Sequence, residues 1–174
     1  CHIMARLRAP DGCPWDQQQN HHSLRFHAVE EVYELIDAIE MENDGEMREE
    51  LGDLLLQVIF HCQLAHERKA FDFDAVCSEL ADKLVRRHPH VFGDKTIEDV
   101  EGVWTQWEAI KRSEKKGTLE ERHSALDGIP RHLPALQYAE KMAKKARKVA
   151  PLSDHLQAPS LPESADQFAE ALLD

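Results

Sequence analysis

Two acidic pairs sit inside two apolar, helix-forming stretches. Glu31 and Glu34 occur in V-E-E-V-Y-E-L-I-D-A-I, and Glu50 and Asp53 in E-E-L-G-D-L-L-L-Q-V-I-F. Each pair is spaced i, i+3, so on a helix both carboxylates point the same way from adjacent turns. A carboxylate among apolar neighbours is costly unless it is compensated. Four of them turned toward one another repel unless cations lie between them. Oxygen donors of this kind suit Mg²⁺ or Mn²⁺ better than zinc. The pattern predicts a divalent-metal site built by two helices.

Strand signals are nearly absent, and the chain reads as an all-α helical bundle. The opening A-P-D-G-C-P-W-D is irregular, with Pro10, Gly12 and Pro14 close together. Ser23 is placed to cap a helix over residues 24–42, which Asn43-Asp44-Gly45 ends. Further helices are expected over 46–68, from Asp72 to the residue before His88-Pro89, and over 97–116 with Gly117 as the stop. A basic helix over 136–149 follows a polar stretch, and the proline-rich remainder reads as a flexible tail. The expected core spans residues 15–116. The expected division is a catalytic domain over 1–120, a linker and basic helix over 121–150, and a tail over 151–174.

Composition narrows the function classes. Thirty-three acidic against twenty-one basic residues give a formal net charge of −12, which argues against a general nucleic-acid or membrane-surface binder. Cys1, Cys13, Cys62 and Cys77 show no C-x-x-C pairing, so a reduced, cytoplasmic protein is expected rather than a disulfide framework. No apolar run reaches membrane-spanning length, and no secretory signal pattern opens the chain.

The acidic stripes admit two readings. His27, Glu30, Glu31, Glu34 and Asp37 line one face of the first long helix, and Glu50, Asp53, Gln57 and His61 one face of the second. Either stripe alone could be a solvated outer face. The second helix, however, is apolar on most sides, which marks a buried helix and keeps Asp53 and Gln57 from bulk water. A di-iron site would need Glu-x-x-His pairs, which neither segment carries. His88 and His90 lack thiolate partners at zinc-ligand spacing. Magnesium acting on phosphates is the better fit.

With those residues in view, the chain resembles the MazG family of nucleoside triphosphate pyrophosphohydrolases. The acidic signature reads Glu30-Glu31-Val32-Tyr33-Glu34, fifteen residues, then Glu50-Leu51-Gly52-Asp53. Three further blocks are similar: G-C-P-W-D at Gly12 to Asp16, K-L-V-R-R-H-P-H-V-F at Lys83 to Phe92, and W-E-A-I-K at Trp107 to Lys111. The later S-A-L-D-G-I-P-R-H-L-P-A-L resembles the segment joining the halves of longer members.

The resemblance implies an all-α fold, Mg²⁺ dependence with Mn²⁺ as a substitute, and hydrolysis of nucleoside triphosphates to a monophosphate and pyrophosphate. It implies Glu31, Glu34, Glu50 and Asp53 as metal ligands. Glu30 joins the catalytic carboxylates, either supporting them or binding an additional ion. Lys83, Arg86 and Arg87 take the phosphates, with Lys111 a further candidate, and Arg suits this by its bidentate geometry. The competing reading of these cations is an interaction with their own helix end. Trp15 and Trp107 either contact base or ribose or belong to the core. The octet Q-F-A-E-A-L-L-D is either the stub of a degenerate second repeat or an unrelated amphipathic tail. A dUTP-type or phosphoribosyl-ATP pyrophosphatase, or a metal- and nucleotide-binding regulatory module, remains an alternative. The helices carry more apolar surface than one bundle layer covers, and a homodimer is expected.

Overall fold

The computed structural model describes residues 1–118, 121, 123–124 and 126–149, with the last two as backbone only. The expected 151–174 tail and its degenerate-repeat reading lie outside the described residues. Within them every regular element is a helix. A first compact unit runs from Cys1 to Glu98 and a second begins at Asp99.

The first unit is organised by a helical hairpin, α3 (His27–Glu40) and α4 (Asp44–Glu67), the most extensive helix pair among the described residues. The connection is tight because Glu42 adopts a left-handed φ of 53° and Asn43 N–H reaches back to Ala38 O at 3.0 Å. Such a turn satisfies carbonyls left open at the helix end. Asn43 then caps α4 by accepting from Gly45 N and Glu46 N at 3.1 and 3.3 Å.

Two short helices precede the hairpin, α1 (His2–Leu7) and α2 (Pro14–Gln18). Gly12 separates them where no side chain fits, since a Cβ there would lie 2.1 Å from Leu7 O. The expected core began near residue 15, but α1 belongs to it. Met4 and Leu24 bury against Phe60 and Leu64 of α4, with Leu7 and Ile59 packed alongside. A short amphipathic segment beside a glycine- and proline-rich stretch hid that contribution.

Helix α5 (Phe73–Arg87) packs on α4 and is capped by Asp72, which accepts from Ala75 N at 2.9 Å. It ends before His88-Pro89, as the proline requires, and α6 (Pro89–Phe92) follows. In the second unit α7 (Val100–Lys115) is capped by Asp99 through Gly102 N at 2.7 Å. Gly117 lies just past its end with φ 77°. Helix α8 (Ala135–Val149) is the expected basic helix, and Lys145 Nζ donates to Asp127 O at 2.5 Å.

Two expectations shift. Ser23 does not cap α3, which starts at His27. Ser23 Oγ instead accepts from Asn20 N at 2.9 Å, inside a turn whose Leu24 is drawn into the core at 1% exposure. Burial of that leucine outweighs the cap. Helix α4 is also less buried than its composition implies. Gln57, Phe60, Cys62, Leu64 and Ala65 are buried, but Leu51, Leu55, Leu56 and Val58 are exposed. No helix among the described residues is long and apolar enough to cross a membrane.

Candidate metal centre

The hairpin brings the two acidic pairs together. Glu31 lies in the second turn of α3, Glu50 and Asp53 in the second and third turns of α4. One carboxylate oxygen from each lies within 4.8 Å of the others. Oxygens bound to one Mg²⁺ sit at most about 4.2 Å apart. Modest side-chain rotation brings these half-buried groups to that spacing.

Electrostatics identify the same neighbourhood. Burial pushes the Glu31 carboxyl above its ordinary range, and the charges of Asp53 and Glu34, a hydrogen bond with Glu34 and the charge of Glu50 push it further. Glu50 is raised too, first by desolvation and then by Glu34, Asp53, Glu49 and Glu46. Glu34, itself exposed, therefore borders the cluster. Neighbouring negative charge thus adds to the rise at both Glu31 and Glu50, the condition under which a cation gains most by binding.

A buried amide lies against the cluster. Gln57 Nε2 is 3.5 Å from Glu31 Oε1, and the Gln57 Oε1 atom is buried with no hydrogen-bond partner among the described residues. One turn further along α4, His61 stacks on His21 with ring centroids 5.1 Å apart and Nδ1 atoms at 2.8 Å. One ring must donate and the other accept, so the pair carries at most one proton on those two nitrogens. Burial, and then His21, lowers the His61 pKa. The stripe spacing named Gln57 and His61 but gave neither a role.

Other expected residues are distributed more widely. Glu30 is exposed, with Oε2 3.7 Å from His27 Nδ1, and is not among the three converging side chains. Trp15 is 53% exposed and meets the His27 ring edge-on at 6.1 Å. Lys83, Arg86 and Arg87 lie along the last turns of α5, with Lys83 and Arg87 half-buried. Trp107 and Lys111 belong to α7 in the second unit. Trp107 meets Trp104 edge-on at 5.9 Å, and Lys111 pairs with Glu108 at 2.7 Å.

Fold and site together define an all-α domain with a carboxylate centre on a helical hairpin. Residues 19–92, from the turn before α3 through α6, match the MazG nucleotide pyrophosphohydrolase domain. The chain thus carries a MazG domain over that segment. It is 48% identical over 148 residues to a nucleoside triphosphate pyrophosphohydrolase of Escherichia coli strain K12, covering 84% of this chain and 56% of that protein. To the nucleoside triphosphate pyrophosphohydrolase/pyrophosphatase MazG of Thermotoga maritima it is 47% identical over 147 residues, 84% of this chain and 55% of the relative. The chain thus spans little more than half the length of these relatives. The crystal structure of a mazG-related protein from Thermotoga maritima shares the fold, with a TM-score of 0.53 at 22% identity over 63% of this chain and 94% of that one.

Proposed function

We propose that the chain hydrolyses nucleoside triphosphates to nucleoside monophosphates and pyrophosphate with Mg²⁺ bound at Glu31, Glu34, Glu50 and Asp53. The observation that carries this reading is the convergence of Glu31, Glu50 and Asp53 beside the unpaired oxygen of buried Gln57. Similarity to relatives named for this activity supports it. The all-oxygen donor set fits Mg²⁺, with Mn²⁺ as a substitute, and offers no soft ligand for zinc.

When bound, the cation neutralises phosphate charge and makes water more acidic. The chain's own residues do the rest. The carboxylates fix the site's geometry and accept protons from water as it adds to phosphorus. The anhydride bond to the departing pyrophosphate then breaks, and its electron pair leaves with the bridging oxygen. Lys83, Arg86 and Arg87 hold the triphosphate, whose charge exceeds what one divalent cation neutralises. Trp15 supplies a flat surface for base or ribose. Glu30 stays outside the cluster and supports it electrostatically.

The protein works as a homodimer in the cytoplasm. Val29, Val32, Tyr33, Ile36 and Ile39 of α3 are each at least 40% exposed, and apolar area of this kind on one helix favours a subunit interface. The test is release of pyrophosphate from standard triphosphates with Mg²⁺ and with EDTA. Mg²⁺-dependent release that Glu34→Gln abolishes supports the reading. Its absence across all the triphosphates returns the domain to a binding role.

A further inference from the structure

Gln57 is one turn beyond Asp53 on α4, a spacing that keeps both on the same face. It is 8% exposed. The amide nitrogen is the end turned toward Glu31, with Nε2 3.5 Å from Glu31 Oε1. The carbonyl end is then the one left without a partner. A buried unpaired carbonyl weakens a fold, and the contact with Glu31, at the long limit for a hydrogen bond without an ion bound, offsets only part of that. An apolar side chain of the same length would serve the core better. Stability therefore does not account for a glutamine here.

Position does. Of the three converging oxygens, only that of Glu31 comes from α3; the other two come from α4. Gln57 links the α3 carboxylate to the α4 pair. We propose that Gln57 is a positioning residue of the metal centre. Its Nε2, beside Glu31 Oε1, would hold that carboxylate toward Glu50 and Asp53 when a divalent cation is bound. This rests on the reading of the cluster as a divalent-cation site. Outer partners of metal ligands act in this way, and losing one weakens metal binding by about ten- to a hundred-fold.

Two variants test it. Gln57→Met keeps length and approximate volume but removes both polar atoms; Gln57→Asn keeps the amide and withdraws it by one methylene. Mn²⁺ affinity is read without nucleotide, from the paramagnetic resonance of free Mn²⁺, and thermal melting is read in EDTA. Both variants are expected to bind Mn²⁺ about ten-fold more weakly, while Gln57→Met melts at or above wild type. Lower melting with wild-type Mn²⁺ affinity would mean packing alone and overturns the proposal. If Gln57→Met does not fold, Gln57→Asn decides on the same readouts. Asp53→Asn separates the two levels of the argument. Wild-type Mn²⁺ binding in Asp53→Asn removes the cation site itself. Lost binding there, with wild-type affinity in the Gln57 variants, removes only the role of Gln57.

Discussion

Arg8→Met removes the group that ties the N-terminal segment to the far end of α4. Arg8 Nε and Nη2 meet the two Glu67 carboxylate oxygens at 2.7 and 2.8 Å. Its Nη1 donates to the carbonyls of Asp16 and, at 3.3 Å, of Gln19. The guanidinium also lies 5.6 Å from the Phe60 ring centre. The Arg8 side chain is 10% exposed and that of Glu67 38%. Solvent reaches the carboxylate, so the ion pair is worth about 1 kcal/mol rather than the 3–5 or so of a fully buried pair. Charged donation to the two carbonyls adds about 1 kcal/mol, and the Phe60 contact about 0.5–1 kcal/mol. The variant should lose about 3 kcal/mol, or about 6–12 °C in Tm for a chain of this size. A cycle of Arg8→Met, Glu67→Gln and the double variant isolates the pair, with an expected coupling of about 1 kcal/mol.

The same pair sets a pH signature. The Arg8 hydrogen bond is the largest influence holding the Glu67 carboxyl below its usual value of 4.5, Gln63 and the charges of Arg8 and His66 add to it, and burial opposes it. A depressed carboxylate stabilises the fold above its unfolded pKa and loses that contribution as pH falls through its folded pKa. Wild type should therefore lose stability faster than Arg8→Met on acidification below 4.5, and the two melting curves should approach each other. Parallel pH profiles together with zero coupling would refute the assignment.

Asp53→Asn should abolish turnover, yet in EDTA its Tm should hold level or rise, because Asp53 charge contributes to the raised pKa of both Glu31 and Glu50. A fall of several degrees would make Asp53 structural instead. Arg86→Ala and Arg87→Ala should raise KM or lower kcat for triphosphates; unchanged kinetics in both would return them to the end of α5. Sedimentation at micromolar concentration should find a dimer, and a 20.0 kDa monomer that still releases pyrophosphate would refute that assembly. Gly52→Ala, at an exposed helix position where an added Cβ meets nothing within 4 Å, should stabilise an isolated chain by about 0.5–1 kcal/mol. A weaker dimer in that variant would mark Gly52 as an interface position.

The hairpin and its acidic face were legible because helical periodicity and i, i+3 spacing are local properties. Glu31, Glu50 and Asp53 meet in space as the two stripes implied, and Asp72 and His88-Pro89 bound α5 as their chemistry requires. What escaped depends on contacts distant in sequence. Nothing within α1 says that Met4 will pack on Phe60 and Leu64. Nothing near Arg8 points to Glu67. Ser23 is as good a cap by type as Asn43, but Leu24 beside it is pulled into the core and the cap is lost. The His21–His61 stack joins a loop to a helix forty residues away and has no pattern that spacing could reveal. Gln57 was visible as a stripe member, whereas its unpaired oxygen exists only once α3 and α4 are packed.

Helix α4 divides these demands along its length. Its 24 residues span about 36 Å. The C-terminal half supplies Phe60, Cys62, Leu64 and Ala65 to the interior and ends at Glu67 in the grip of Arg8. The N-terminal half carries Glu50 and Asp53, leaves Leu51 and Leu55 exposed, and accepts a glycine between the acids. Mutual repulsion and a flexible residue weaken that half, and the core at the opposite end offsets them. The division has a physical reason. A cation site needs carboxylates that remain unsatisfied until the ion arrives, and only a helix anchored elsewhere can hold them at that spacing. Gln57 stands near the junction between the two halves, buried like Phe60 and polar like Asp53.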